Sequence, residues 1–286
     1  MKIIDAHIHL SHIESFKQTA KKRSFVDYRP SGYVKEMKEN NVIGAIGMGL
    51  RELEGSEGFP DSRASSPMEL DMLKKESLPI GLCPGINPYK LGAIELERLE
   101  QLILQDHVVG IKIYLGYYPF YAYDRCYQPV YKLAEDYHIP VVFHTGDTYS
   151  ERGLLKYAHP LTIDEVAVAH PNVTFVLAHL GDPWMLDAAE VVYKNKRVYA
   201  DLSGLIVGDQ KEVQRISTTP HFFDHFKHAL AFCDSYDKLL FGTDWPLVPI
   251  EPYVRFIKEH IPSKHWESVF HDNALTVFPK LKNLLK

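Results

Sequence analysis

Short apolar or β-branched runs recur along the chain at Lys2 to Ile8, Val42 to Met48, Ile80 to Ile86, Val108 to Tyr114, Pro140 to His144, Thr174 to His179, Arg197 to Leu202 and Leu239 to Asp244. Their lengths suit strands and are too short for buried helices. Between them, apolar residues fall at helical spacing, as at Leu96, Leu99 and Ile103, at Val130, Leu133, Ala134 and Tyr137, and at Tyr253, Phe256, Ile257 and His260. The helix after the sixth run carries a start signal, with Asp182 as the expected N-cap and Pro183 at the first helical position. Eight strand-then-helix units predict an α/β protein, a (β/α)8 TIM barrel forming a single domain over residues 1–286. A doubly wound open sheet is the competing architecture, but no Gly-rich phosphate loop follows the first strand. No linker of distinct composition divides the chain.

A barrel keeps its chemistry at the C-terminal ends of its strands. The first run, in "DAHIHL", ends in His7 and His9, whose spacing of two puts both imidazoles on one side of a strand and Ile4, Ala6 and Ile8 on the other. The fifth run ends in His144, the sixth in His179 and the eighth in Asp244. Each alone has a plain structural account, as a hydrogen-bonded core histidine or a helix cap. Together they point to one site, because a barrel gathers strands 1, 5, 6 and 8 around one cavity and all five residues are metal-ligating or acid/base types.

Composition narrows the classes. The net charge of −5, with no basic block longer than "KKR" at residues 21 to 23, argues against nucleic acid as a partner. No apolar stretch approaches the roughly eighteen residues of a membrane span, and Asp5 with two histidines before Leu10 does not resemble a targeting peptide. Cys83, Cys126 and Cys233 lie far apart, which suits free thiols in a reducing, cytoplasmic compartment. The expected partners are a small-molecule substrate and, at most, a second copy of the chain in a homodimer.

The forms "DAHIH", "HTGD", "LAHLGDP", "FGTDWP" and "HDNALTVF", with the ligand order across strands 1, 5, 6 and 8, resemble the amidohydrolase superfamily of metal-dependent barrels. The similarity runs from residue 3 to about residue 280. It is strongest to the amidohydrolase-related branch that also contains aminocarboxymuconate-semialdehyde decarboxylase, a branch of hydrolases, nonoxidative decarboxylases and hydratases. The resemblance implies that His7, His9, His144 and Asp244 ligate one divalent metal, with His179 beside the activated water. Three imidazoles and a carboxylate suit Zn2+, with Mn2+, Fe2+ or Co2+ as alternatives. His179 is then the expected general base or carbonyl polariser, and Asp244 the proton shuttle.

Lys112 and Tyr114 share one face of the fourth strand, opposite Ile111 and Ile113, so the lysine is expected inside the barrel. The resemblance implies a substrate-contacting or structural ammonium there, in preference to a carboxylated bridge between two metals. The aromatic segment "GYYPFYAYDR" could roof the pocket, and "RELEGSEGFPDSRASSP" reads as a loop at the catalytic mouth. Arg51 is the candidate anion handle, and Trp245, with Trp184, a candidate pocket wall. Two reactions compete, hydrolysis of an amide, lactone or related bond and nonoxidative decarboxylation (or hydration) of a small unsaturated or aromatic acid, against a catalytically silent barrel. Retention of the whole ligand set weighs against silence. The thin supply of cations for a substrate carboxylate, Arg51 with Lys112, favours the hydrolase.

Overall fold

A computed structural model of the chain describes residues 1–53, 61–73 and 78–285. The strands are β1 (Ile3–Ile8), β2 (Val42–Met48), β3 (Ile80–Cys83), β4 (Gly85–Ile86), β5 (Ile111–Ile113), β6 (Val141–Phe143), β7 (Phe175–Leu177), β8 (Val198–Asp201) and β9 (Leu239–Leu240). All named pairs are parallel, in the orders β1-β2-β3 and β4-β5-β6-β7-β8-β9. The run Ile80 to Ile86 is one strand broken at Pro84, which has no backbone N–H to give to a ladder. A bridge between Leu82 and Val108 joins the two sheets, leaving eight strand positions.

The ends of the sheet meet. Ala6 N donates to Phe241 O at 2.9 Å, Asp244 N to His7 O at 2.8 Å and His9 N to Trp245 O at 2.8 Å. Asp5, fully buried, accepts from Thr243 N at 2.9 Å and Thr243 Oγ1 at 2.7 Å across 238 residues of sequence. These bonds tie the first strand to the last, as the TIM barrel requires.

Helices at Pro30–Glu39, Ala93–Ile103, Gln128–Asp136, Leu161–Ala169, Met185–Lys194, Gln210–Ser217, Asp224–Cys233 and Ile250–His260 follow the strands. Among the described residues no helix separates β2 from β3. Alternation sorts the apolar side chains into two layers. Ile111, Ile113, Val141, Phe143, Phe175 and Leu177 pack with helix residues such as Leu99, Val130 and Ile163. Ile4, Ala6, Ile46, Met48, Cys83, Val109, Val142, Val176 and Leu240 pack on one another inside the barrel, closed below by Val277, Phe278 and Leu281.

Strand β1 departs from simple alternation. Ile4 and Ala6 lie in the inner layer but Ile8 in the outer, because the pairing with β2 shifts register between Asp5 and Ile8. The shift turns His7 inward after Ala6. The expected N-cap also differs. The helix after β7 begins at Met185 with Trp184 at its N-cap, while the Asp182 carboxylate accepts from His225 Nε2 at 2.9 Å. Cys83, Cys126 and Cys233 are free thiols, and no helix among the described residues is long and apolar enough to cross a membrane.

Candidate active site

A cavity of about 220 Å³ opens at the C-terminal ends of the strands, with His7, His9, Lys112, His144, His179 and Asp244 on its floor. Tyr114, Tyr117, Phe16, Tyr149, Ile13, Leu50 and Leu247 form its walls, and Ser15, Glu52 and Ser150 add polar groups. Its size is below the roughly 300–1,000 Å³ common for drug-sized ligands, which points to a small substrate.

His7 and His9 stand with ring centroids 5.4 Å apart. Asp244 reaches them from the end of β9, held in a left-handed turn with φ 62°. His9 Nε2 lies 3.1 Å from Asp244 Oδ1, and His7 Nε2 lies 3.7 Å from the same oxygen. Among the described residues neither His7 Nε2 nor Asp244 Oδ1, both buried, finds a hydrogen-bond partner. Buried polar atoms seldom go unpaired unless something outside the protein completes them. One donor atom each from His7, His9 and Asp244 falls within 4.8 Å of the others. A tetrahedral ion with bonds of about 2.0–2.1 Å sets its ligand atoms about 3.3 Å apart, so the two measured edges and the N, N, O donor set fit a divalent cation such as zinc.

His144 lies outside that trio. Its Nε2 stands 2.9 Å from Asp147 O and its Nδ1 3.2 Å from His179 Nε2. The expected set of four ligands is thus gathered only in part, because the Asp147 carbonyl turns the His144 ring toward His179. A carbonyl oxygen only accepts, so His144 carries its proton on Nε2 and leaves Nδ1 as a lone pair. His179 Nδ1 faces Ser203 O at 3.1 Å, which by the same logic leaves its Nε2 as a lone pair. Two lone pairs then meet across 3.2 Å, an arrangement that a cation or a shared proton relieves. Burial holds His7 down at about 4 and His144 well below the usual imidazole range, which keeps both rings neutral near pH 7 and able to ligate. Burial works the other way on Asp244, but the imidazoles of His9 and His7 hold it well below the usual carboxylate range.

Asp201, at the end of β8, is the residue the sequence reading passed over. It is buried, and its carboxylate accepts from His7 Nδ1 at 2.9 Å and His179 N at 3.0 Å. A signal was present, since the seventh apolar run, Arg197 to Leu202, carries an acid one residue before its end. Next to it, Gly204 has φ +70°, and a Cβ there would lie 2.6 Å from His179 Nδ1 and 3.1 Å from Asp244 Oδ2. Only glycine leaves that approach open.

The substrate candidates divide. Lys112 is fully buried and lines the floor, its Nζ without a hydrogen-bond partner and 5.4 Å from the centroid of the Tyr114 ring. Tyr114 lines the wall and donates its hydroxyl to Gly49 O at 2.7 Å. Trp245 is turned away: it is fully buried against Tyr28 and Tyr33 and gives its indole N–H to Glu36 Oε1 at 3.1 Å. Arg51 is also absent from the cavity wall, which its neighbours Leu50 and Glu52 form instead. Trp184 packs on His159, with ring centroids 5.0 Å apart. Of the aromatic segment after β5, Tyr117 reaches the cavity, and Tyr118 and Phe120 pack beneath it. Part of the loop after β2, residues 54 to 60, lies outside the described residues.

No curated protein sequence matches the chain significantly. Among solved structures, an uncharacterised TIM-barrel protein from Bordetella bronchiseptica superposes with a TM-score of 0.72 at 21% identity, covering 99% of this chain and 100% of that one. An amidohydrolase from Burkholderia multivorans with bound zinc gives 0.66 at 15% identity, over 98% of this chain and 99% of that one. The 5-carboxyvanillate decarboxylase from Sphingomonas paucimobilis gives 0.63 at 14% identity, over 97% and 99%. At these identities the likenesses establish the fold. The amidohydrolase family profile matches residues 87–280, well over half the sequence, and on that match the chain belongs to the amidohydrolase family.

Proposed function

We propose that the chain is a metal-dependent hydrolase that cleaves an amide, lactone or related bond of a small molecule. The observation that carries this reading is the convergence of His7, His9 and Asp244 on the floor of a closed-in cavity, with His7 Nε2 and Asp244 Oδ1 both left without hydrogen bonds. Bound among these residues and His144, a divalent cation supplies Lewis acidity, polarising a substrate oxygen and making water acidic enough to attack near neutral pH. His179 offers its Nε2 lone pair as the base that takes the proton of the attacking water. Asp244, ionised at rest, relays that same proton to the leaving nitrogen or oxygen as the carbon–heteroatom bond breaks. The ammonium of Lys112 gives the substrate carbonyl or an adjoining carboxylate a charged donor. The rings of Tyr114, Tyr117 and Phe16 hold the organic part and keep bulk water out.

Decarboxylation is the second reading, favoured by the uncommitted Lys112 Nζ beside an aromatic wall, which would seat the carboxylate of a ring acid. Against it, Lys112 is the sole lysine or arginine lining the cavity among the described residues. Metal-loaded protein assayed on lactones, amides and aromatic acids, with CO2 release followed separately, distinguishes the two. Turnover of a lactone or amide without CO2 supports the hydrolase, whereas CO2 from an aromatic acid with no hydrolysis overturns it.

A further inference from the structure

The Asp201 carboxylate touches both halves of the site, and its contacts dictate where protons sit. Its Oδ2 meets His7 Nδ1 at 2.9 Å. Its Oδ1 meets His179 N at 3.0 Å, Ser203 N at 3.1 Å and, in a short contact, Ser203 Oγ. An ionised carboxylate only accepts, so His7 Nδ1 and Ser203 Oγ must each donate to it. With its hydrogen committed to Asp201, Ser203 Oγ turns lone pairs toward His179 Nδ1, 3.0 Å away. The Ser203 carbonyl, 3.1 Å from the same nitrogen, makes the same demand. Both rings are therefore driven to the form with hydrogen on Nδ1. We infer that Asp201 is the positioning residue of the site: directly for His7, and through Ser203 for His179, it selects the tautomer that turns the Nε2 lone pair away from the carboxylate.

The inference concerns the protein's own hydrogen bonds, and only its metal-affinity arm rests on the proposed metal-dependent function. The tautomers are read by long-range 1H–15N correlation on metal-free protein at about pH 8, above the ordinary imidazole range. The parent is expected to show hydrogen on Nδ1 of both His7 and His179. In Asp201→Asn the side-chain amide can donate to His7 Nδ1, so His7 is expected to move its hydrogen to Nε2 and lose the lone pair it would offer a metal. Zinc affinity, measured against a competing chelator, is expected to fall by about 10- to 100-fold. Asp201→Ala, which leaves the His7 ring without the carboxylate, should give mixed tautomers at His7 and a similar loss, while the Ser203 carbonyl still holds hydrogen on Nδ1 of His179. Hydrogen on Nε2 of either ring in the parent overturns the inference, and that reading needs no variant to fold. So does an Asp201→Asn protein that melts like the parent and keeps both the His7 tautomer and zinc affinity within twofold. If the tautomers follow the inference but the parent binds no divalent metal, the proposed function fails and the positioning role stands.

Discussion

Replacing Lys112 with methionine should make the protein more stable while damaging its chemistry. The ammonium is fully buried and has no hydrogen-bond partner. Burial carries its pKa from 10.5 to about 8, against the pull of the Asp201 and Asp244 carboxylates. At about 1.4 kcal/mol per pKa unit, this displacement means that the charged lysine costs the folded state about 3 kcal/mol near pH 7. The penalty is fully present below the folded pKa, shrinks as pH rises between the two values, and is about 1 kcal/mol at pH 10. Methionine fills similar volume without the charge and gives up a cation–π contact with Tyr114 of about 1 kcal/mol. Lys112→Met should therefore gain about 2 kcal/mol near pH 7 in urea unfolding of the metal-free protein, and this advantage over the parent should vanish by about pH 10. Turnover should fall, since the floor loses its charged donor. A variant no more stable than the parent near pH 7, or a difference that does not change with pH, would refute the reasoning and mean that Lys112 has an anionic partner or carries a carboxyl group.

Purified protein should contain about one divalent ion per chain, with activity lost on chelation and regained on adding metal; two tightly held ions measured by elemental analysis would contradict the single site. His144→Ala should lose metal and, with it, activity, whereas His179→Asn should keep near-parental metal while turnover falls by roughly a hundredfold to ten-thousandfold. If both variants lose metal alike on the same preparations, His179 is a ligand and the assigned roles are wrong. Glu52 lines the cavity, with Oε2 accepting from Ser15 N at 3.2 Å and Ser15 Oγ at 3.3 Å. Glu52→Gln should therefore favour probes that carry a second carboxylate at their outer end, lowering KM by up to about tenfold and leaving neutral probes unchanged, the scale of one charge a few ångströms away in water-like surroundings at the cavity mouth. Equal effects on charged and neutral probes would show that Glu52 acts on loop packing instead.

Alternation and strand-end chemistry made much of this legible in the sequence. Each of the eight apolar runs contains an observed strand, and Lys112 points inward between the outward Ile111 and Ile113. What failed was local and has physical causes. Regular pairing stops at Leu177 and Leu240 because the chain then bends through left-handed conformations at His179 and Asp244, which aim these side chains into the cavity. The bulge in β1 cannot be read from a period of two, since it shifts the phase after Ala6, so that His7 and His9 face the cavity and Ile8 the outer layer although Ile4 and Ala6 lie in the inner one. Of the two places open to Trp245, pocket or core, it takes the core, since it follows Asp244 yet packs on the helix Pro30–Glu39, and Arg51 at the start of its loop stands off the cavity wall, because position in sequence says nothing of side-chain direction. Asp201 stands before the end of its run and not at it, and a carboxylate that serves other side chains has no spacing signature that marks it out.

The bonds that join the first strand to the last also set when the site comes into being. Asp5 and Thr243 are 238 residues apart, and the backbone of His7 waits on Asp244. On a ribosome, the two histidines remain without their acidic partner until the whole stretch from β1 to Asp244 has emerged. Contacts of such long range are slow to form, because the intervening loop must close before they repay it. The proposed cation site at His7, His9 and Asp244 thus cannot form before β9 is made, and a fragment that stops short of β9 has the first strand's imidazoles but not the carboxylate that joins them.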